Sequence, residues 1–527
     1  MIPKKIDCHK RRKRFFRNAE LIQIIMLAAK ELFVKPYFKH HGTNQIRNIR
    51  EYLMIYRILS AFPMNILDFF ENIIDITKKI LYNIIGGANM IELFRVKNFM
   101  SFKDESVLDF RALSYKQHKD HIILSKKTNS DAKYGHLKTI AIYGANAAGK
   151  TNLIAAIRAF QIVLSNQLFS NSNKSNSPYE NITPFLLSDS EDNTEFEIVF
   201  NYKGNRYQYG FELKHNNISD DDYADGYSDY DVINEWYYIN DDQIYDREKD
   251  TLSIGTKYKN ILNKIDRIPS GRLFISALDY FLGSKERDLI VEGFREFIFG
   301  DLTVYFELIM ETSVKTTLSQ ASINSRLFID QNYKNRVEEY LKMIDVGIER
   351  IEVKEQLVSN GNPLNSKKII EIKTIHKKFD EKGNAIGEIS FDLNQESSGT
   401  LRFFMFIQRI IEIQEKGGVL IIDELSARLH PLLTKLIINM FQSSENTKSQ
   451  LIFSTHDISL LNKEQFRRDE IVFVDKNERG ESKIYTLADL KVREDSSFYK
   501  EYIQGKYGAI PIFRSFDELQ QGDESKA

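Results

Sequence analysis

Hydrophobic and polar positions alternate in three different ways along this chain. Through residues 1–89, Ile/Leu/Phe-rich stretches broken only by Pro3, Pro36 and Pro63 predict helices. At residue 90 the pattern changes. Ile91–Asn98 alternates in the manner of a strand, and Lys138–Tyr143 is a second, compact apolar strand. A helix is predicted from Lys150 to about Gln167, and the polar run Asn171–Ser177 as a loop. Phe196–Phe200 and Arg206–Leu213 predict a hairpin turning at Lys203–Asn205, and Glu235–Ile239, with the lone Trp236, another strand. The acidic stretch 219–231 fails the calcium-loop template and reads as a solvated loop. Residues 260–345 read as mostly helical, an insertion. Strands return at Ile348–Glu355 and Lys368–Ile375, followed by a helix from about Thr400 to Gln414. Then come a buried strand at Gly418–Asp423, a helix near 431–442, and strands at Gln450–Ser454 and Glu470–Val474. No 20–50-residue repeat and no long heptad run is present, which argues against solenoids and extended coiled-coil arms.

The chain has 527 residues, 42% apolar and 28% charged, with net charge -1. That length suggests three or four domains and enough apolar residues for a large core, and the balance excludes collagen-like and wholly disordered classes. The single cysteine, Cys8, excludes a disulfide framework and a Cys-rich zinc module, and suits a reducing cytoplasm. The longest uncharged apolar-leaning runs, 21–29, 58–67 and 80–91, fall short of the roughly 18 residues of a membrane helix, so no membrane association is expected. The near-zero total hides an asymmetry: residues 1–89 hold 16 Lys/Arg against 7 Asp/Glu, the remainder 57 against 67. The basic run Lys10–Arg14 reads either as a solvated end or as a phosphate-neutralising arm.

Four sites carry chemistry. Gly144-Ala-Asn-Ala-Ala-Gly149-Lys150-Thr151 satisfies G-x-x-x-x-G-K-[ST] between a buried strand and a helix. Its glycines let backbone N–H groups face phosphates, Lys150 would bridge the β- and γ-phosphates, and Thr151 would hold Mg²⁺. Val419–Glu424 is an apolar strand ending in two acids, Asp423 for the Mg²⁺ shell and Glu424 to position or deprotonate the attacking water. Leu451–Asp457 is a buried strand ending at His456, which can donate to a γ-phosphate oxygen. Glu396-Ser397-Ser398-Gly399-Thr400 opens a helix as an anion cradle without a lysine. It reads as an ordinary N-cap or as a cradle for a nucleotide held by another subunit.

On these residues the chain resembles, over about 90–510, the ABC-type ATPases of the SMC/RecF/OLD branch. Ile91–Phe102 is similar to that branch's opening strand and its Asn-Phe-x-Ser-Phe turn. Gly144–Thr151 followed by Asn152 looks like Walker A, Ser397–Gly399 like a degenerate signature, and Asp423-Glu424 like Walker B. Leu425–Pro431 stands in the D-loop place, and His456 in that of the switch histidine. Ser398 departs from the transporter-type signature glycine, and no Q-loop glutamine can be placed; Asn181–Phe185 is the candidate region. The resemblance implies an α/β P-loop NTPase, an ABC-ATPase head with ATP and Mg²⁺ as cofactors. Its parts are a basic helical extension (1–89), a β-rich first lobe with Walker A (90–259), a helical insertion (260–345), a second lobe with signature, Walker B and switch histidine (346–489), and a tail (490–527). The nucleotide ligands it implies are Gly144, Asn146, Gly149, Lys150, Thr151 and Asn152, with Ser397 and Gly399 acting in trans.

The tail, Leu490–Phe513, more narrowly resembles bacterial RloA/AbiLi-like phage-defence ATPases. That implies an ATP-dependent homodimer and a separately encoded effector such as an RloB/AbiLii-type nuclease, with DNA or a phage component as further candidate ligands. Only 70 residues follow Asp457, too few for the Toprim nuclease fused in OLD proteins. A RecF-like DNA-repair ATPase is the alternative, and a transport ATPase is disfavoured by the degenerate signature. Tyr502, Tyr507 and Phe513 read equally as docking anchors for a partner or as groups packing back onto the head. The family pattern starts at Met90, and Ile85–Met90 can be encoded with a purine-rich ribosome-binding sequence, so the working protein is expected to begin at Met90. A genuine helical N-terminal domain, or the remnant of an upstream gene, remains open.

Overall fold

The structure, a computed structural model, describes residues 88–126, 133–169, 182–189, 192–216, 230–263, 265, 271–305, 325–344, 347–359, 366–493 and 496–511. The basic N-terminal segment, the loop at Asn171–Ser177, most of the acidic stretch and Phe513 lie outside the described residues.

A six-stranded sheet organises the nucleotide-binding half. Its order is β11 (Leu302–Tyr305), β15 (Gly418–Ile422), β16 (Ser449–Ser454), β5 (Thr139–Tyr143), β17 (Ile471–Lys476) and β18 (Ser482–Thr486). All neighbours are parallel except β18, which returns antiparallel beside β17. Buried on both faces, its four inner strands read as continuous apolar runs, as parallel strands covered on both sides do. Period-2 geometry splits each run between two cores. Ile140, Ile142, Val419, Ile421, Ile452, Val472 and Val474 face one. Ala141, Tyr143, Leu420, Ile422, Leu451, Phe453, Ile471 and Phe473 face the other.

The first core is closed by helix α1 (Lys150–Phe169) and a seven-stranded antiparallel sheet. Residues 153, 154, 157, 160, 163 and 164 of α1 are buried at helical spacing. The sheet runs β10 (Thr251–Ile254), β9 (Asp242–Glu248), β8 (Tyr230–Ile239), β7 (Asn205–His215), β6 (Thr194–Tyr202), β1 (Met90–Lys97), β2 (Ser106–Asp109). The β6–β7 hairpin turns at Lys203-Gly204, both at positive φ, 52° and 76°. The second core packs α3 (Gln331–Ile344), α4 (Ser398–Lys416) and α5 (Pro431–Gln442) on the opposite face. Two smaller sheets complete the fold: β3–β4 (Ile122–Lys126, Lys133–Leu137), and the meander β12 (Ile348–Ser359), β13 (Ser366–Phe379), β14 (Ala385–Asp392).

Two expectations change. The stretch 260–345 is more than a helical insertion: its residues Leu302–Tyr305 form β11, the edge strand of the central sheet. Phe274–Phe281, helix α2, and the π-helical turns that follow place Phe274, Leu278, Phe294 and Phe297 in the first core. Four residues are too few to show strand periodicity, so the flanking helical pattern hid this one. The tail packs back. Tyr502 of α6 (Phe498–Ile503) stacks on Phe473 at 5.5 Å, and its hydroxyl donates to the Ala509 carbonyl at 2.8 Å. Tyr485 donates to the Tyr507 carbonyl at 2.6 Å, and Phe498, Tyr502 and Tyr507 are buried in the second core.

Candidate nucleotide site

Strand order creates the site. Because β16 lies between β5 and β15, the carboxyl ends of three parallel strands meet, where open α/β sheets bind ligands. Beyond β5 the chain curls through residues 144–149 and enters α1 at Lys150. Two glycines make the curl. A Cβ on Gly144 would lie 2.3 Å from the Val474 carbonyl oxygen. Gly149 takes φ 116°, and its Cβ would meet Ser482 Oγ at 2.5 Å and Ser101 Oγ at 2.8 Å. Ala147 in the same loop also takes a positive φ, 61°.

Lys150 is buried, and its ammonium donates to the Gly144 and Ala145 carbonyls at 3.1 Å each. It also lies 3.0 Å from His456 Nε2. The same Nε2 is 3.1 Å from Glu424 Oε1. One nitrogen cannot accept from an ammonium and donate to a carboxylate through one tautomer, so His456 serves one partner at a time. Ser454 locks the acids: its Oγ donates to Asp423 Oδ1 at 2.6 Å and accepts from the Glu424 N–H at 2.8 Å. Ser426 and Thr455 hydroxyls, 2.7 Å apart, staple the two strand ends again. Glu424 takes φ 52°, a strained left-handed conformation for a non-glycine residue.

The two acids are held in different protonation environments. Burial pushes the Asp423 carboxyl above the ordinary range, against hydrogen bonds from Ser454 and Thr151 and the Lys150 charge. Burial also raises Glu424, but the hydrogen bond from His456 and the charges of His456, Lys150 and Arg402 outweigh it and leave the carboxyl low. Burial lowers Lys150, opposed by both carboxylates. A cleft of about 360 Å³ opens here, lined by Asn146, Ala147, Gly149, Lys150, Thr151, Asn152, Glu424, His456 and Lys476. The donor set fits a magnesium nucleotide: loop N–H groups and a lysine for phosphates, and a Thr151–Asp423 pair of hard oxygens for the cation.

The chain matches, over residues 140–462, the family described as "AAA domain, putative AbiEii toxin, Type IV TA system". It belongs to this AAA-domain family. The P-loop and the Walker B acids both fall inside the matched span. No curated protein matches the chain. Among solved structures it is similar to an Smc head bound to the C-terminal winged-helix domain of ScpA, at 14% identity and TM-score 0.36, covering 75% of this chain and 97% of that one. It is also similar to an SMC head domain from Thermotoga maritima (15%, 0.34, covering 76% and 99%). A third is an Smc head with an extended coiled coil bound to the C-terminal domain of ScpA, derived from Pyrococcus furiosus (16%, 0.33, covering 80% and 99%).

Within this family member, Lys150, Thr151, Asp423, Glu424 and His456 come together. Asn146 is exposed at the rim, and the Asn152 amide donates to Ser101 Oγ at 2.8 Å, fixing the Asn98–Phe102 turn against the loop. Ser397 and Gly399 do not line the cleft. Ser397 is the exposed N-cap of α4, its Oγ accepting from the Thr400 N–H at 3.0 Å, and Gly399 packs against the Arg428 carbonyl. From that helix buried Arg402 reaches the Glu424 carbonyl oxygen. Five residues missed from sequence now matter: Ser101, Arg402, Ser454, Lys476 and Ser482, whose Oγ donates to the Ala148 carbonyl at 2.6 Å. Ser101 carried a signal as the serine of the Asn-Phe-x-Ser-Phe turn, and Ser454 and Lys476 as polar residues at the ends of apolar strands.

Proposed function

We propose that this protein is a Mg²⁺-dependent ATPase that works as a nucleotide-driven switch in the cytoplasm, in bacterial phage defence, with a separately encoded effector. The observation that carries the ATPase reading is the meeting of Lys150, Thr151, Asp423, Glu424 and His456 at three adjacent strand ends. Lys150 and the loop N–H groups bind the phosphates, Thr151 and Asp423 hold Mg²⁺, and Glu424 takes a proton from the attacking water. His456, released from Glu424, donates to the γ-phosphate. The low Glu424 carboxyl is the ionised base this step requires. The exposed Ser397–Gly399 helix end, away from the cleft, supports a head-to-tail homodimer in which it caps the partner's nucleotide. The toxin–antitoxin description of the family, together with the tail resemblance, supports defence with an RloB/AbiLii-type nuclease as effector.

Glu424→Gln should bind ATP, stop hydrolysis and accumulate dimer, because a ligand that binds one state selectively shifts the population toward it. Lys150→Ala should neither bind ATP nor accumulate dimer. Monomeric Glu424→Gln in light scattering with ATP rules out the dimer switch. Normal turnover by that variant rules out Glu424 as base. For the defence role, phage plating on cells carrying this gene and its neighbour should lose protection with Lys150→Ala.

A further inference from the structure

Ahead of the phosphate loop in the chain, the turn before β3 gathers three metal-binding side chains. His118, Asp120 and His121 each offer a ligand atom, and the three atoms lie within 4.8 Å of one another. His121 is buried, His118 half-buried and Asp120 exposed. The backbone builds this arrangement at a cost: His118 takes φ 48°, ψ 52°, a left-handed conformation, to open the 3-10 turn Lys119–His121. The two imidazoles stack with centroids 4.6 Å apart.

Groups outside the trio orient both rings. His118 Nε2 lies 2.7 Å from the Lys463 carbonyl oxygen, and His121 Nδ1 lies 2.9 Å from Glu470 Oε2. A carbonyl and a carboxylate only accept, so each of these ring nitrogens carries its proton. In neutral rings the lone pairs then sit on His118 Nδ1 and His121 Nε2. An imidazole whose N–H is held by a carboxylate or carbonyl while the other nitrogen is free is the usual surrounding of a protein metal ligand. Glu470 is itself fixed: it is fully buried, and it accepts from the Thr139 hydroxyl and from the Arg467 N–H.

We propose that His118, Asp120 and His121 form a site for a divalent transition metal, zinc foremost, completed by water. Two imidazoles and one carboxylate are zinc-type ligands, whereas Mg²⁺ prefers an oxygen shell. Tetrahedral zinc at about 2.0–2.2 Å needs ligand atoms roughly 3.3 Å apart. From within 4.8 Å the atoms close further on binding, the exposed Asp120 carboxylate by side-chain rotation and the imidazole nitrogens by small ring adjustments. The site joins parts distant in sequence. The turn bonds to the 463–470 segment, and the Lys138 N–H donates to the His121 carbonyl at 2.9 Å, one residue before the strand that feeds the phosphate loop. Bound metal therefore clamps the amino end of β5.

The test uses the untagged full chain stripped with a chelator. Zinc is titrated against a chromogenic competitor, and thermal unfolding is followed with and without one equivalent of zinc chloride. About one zinc per chain should bind and raise the unfolding temperature. The double variant His118→Ala/Asp120→Asn should fold like the stripped protein but bind zinc at least about tenfold more weakly. Asp423→Asn/His456→Ala should retain binding. Absence of stoichiometric binding overturns the proposal. Unchanged affinity in the first double variant, or loss in the second, also overturns it. So does displacement by millimolar Mg²⁺.

Discussion

Ser454→Ala removes no nucleotide ligand, yet it should disable the site. The Ser454 hydroxyl is fully buried and makes two bonds, donating to Asp423 Oδ1 at 2.6 Å and accepting from the Glu424 N–H at 2.8 Å. The first is charge-assisted and worth about 1.5–3 kcal/mol, and loss of the second leaves a backbone donor without its partner at about 1–3 kcal/mol. If half of the combined loss, about 1–3 kcal/mol, is felt at the site, turnover falls on the order of ten- to a hundredfold. A pH signature accompanies it. Asp423 already titrates above the ordinary range because burial disfavours its anion, and the Ser454 hydrogen bond holds that rise down. Without Ser454 the carboxyl rises further, so the anion proposed to hold the cation is lost at a higher pH on acidification. Native stability moves the opposite way: a raised carboxyl stabilises the fold at low pH, and that contribution disappears as pH rises through the folded value. Steady-state phosphate release should be measured against Mg²⁺ concentration at several pH values. The variant should need more Mg²⁺, show an acid limb shifted upward, and turn over far more slowly at pH 7. Turnover and half-saturating Mg²⁺ within twofold of wild type would refute the role assigned to Ser454.

Four further outcomes are expected. Gly149→Ala places a methyl against two serine hydroxyls at φ 116°, which should cost about 1–3 kcal/mol and abolish binding of a fluorescent ATP analogue; retained binding would contradict the loop geometry. Tyr502→Ala should destabilise the head by about 3–5 kcal/mol in urea unfolding, and deletion of 490–527 should yield insoluble protein, because the tail completes the second core. Burial pushes Asp301 from 3.8 to about 6, so stability should fall as pH rises from about 4 to about 6, by at most about 3 kcal/mol. Asp301→Asn should flatten that slope, and an equal slope in both proteins would show that another group titrates.

Consecutive residues were enough to mark the candidate site. Gly144–Thr151, Val419–Glu424 and Leu451–His456 are each a short run in which an apolar strand ends in reactive groups, and local spacing alone places those groups at a strand's carboxyl end. The same apolar runs identified the inner strands of the parallel sheet, because burial on both faces leaves no polar position to blur them. What tertiary structure decided is adjacency. Only the order β15–β16–β5 brings Glu424, His456 and Lys150 within hydrogen-bonding reach, and strand order is a property of pairing, not of any one strand's sequence. The supports follow the same rule. Ser101 and Ser482 reach the phosphate loop from two distant turns, and Arg402 reaches Walker B from a helix whose face is set by packing. β11 could not be read because four residues, one buried and three half-buried, inside a helical pattern carry no period. β14 could not be read because its residues are almost all exposed. The tail's two readings had equal local merit, and the tie was broken by Phe473 and Tyr143, which present an aromatic surface for Tyr502 only once β5 and β17 are paired.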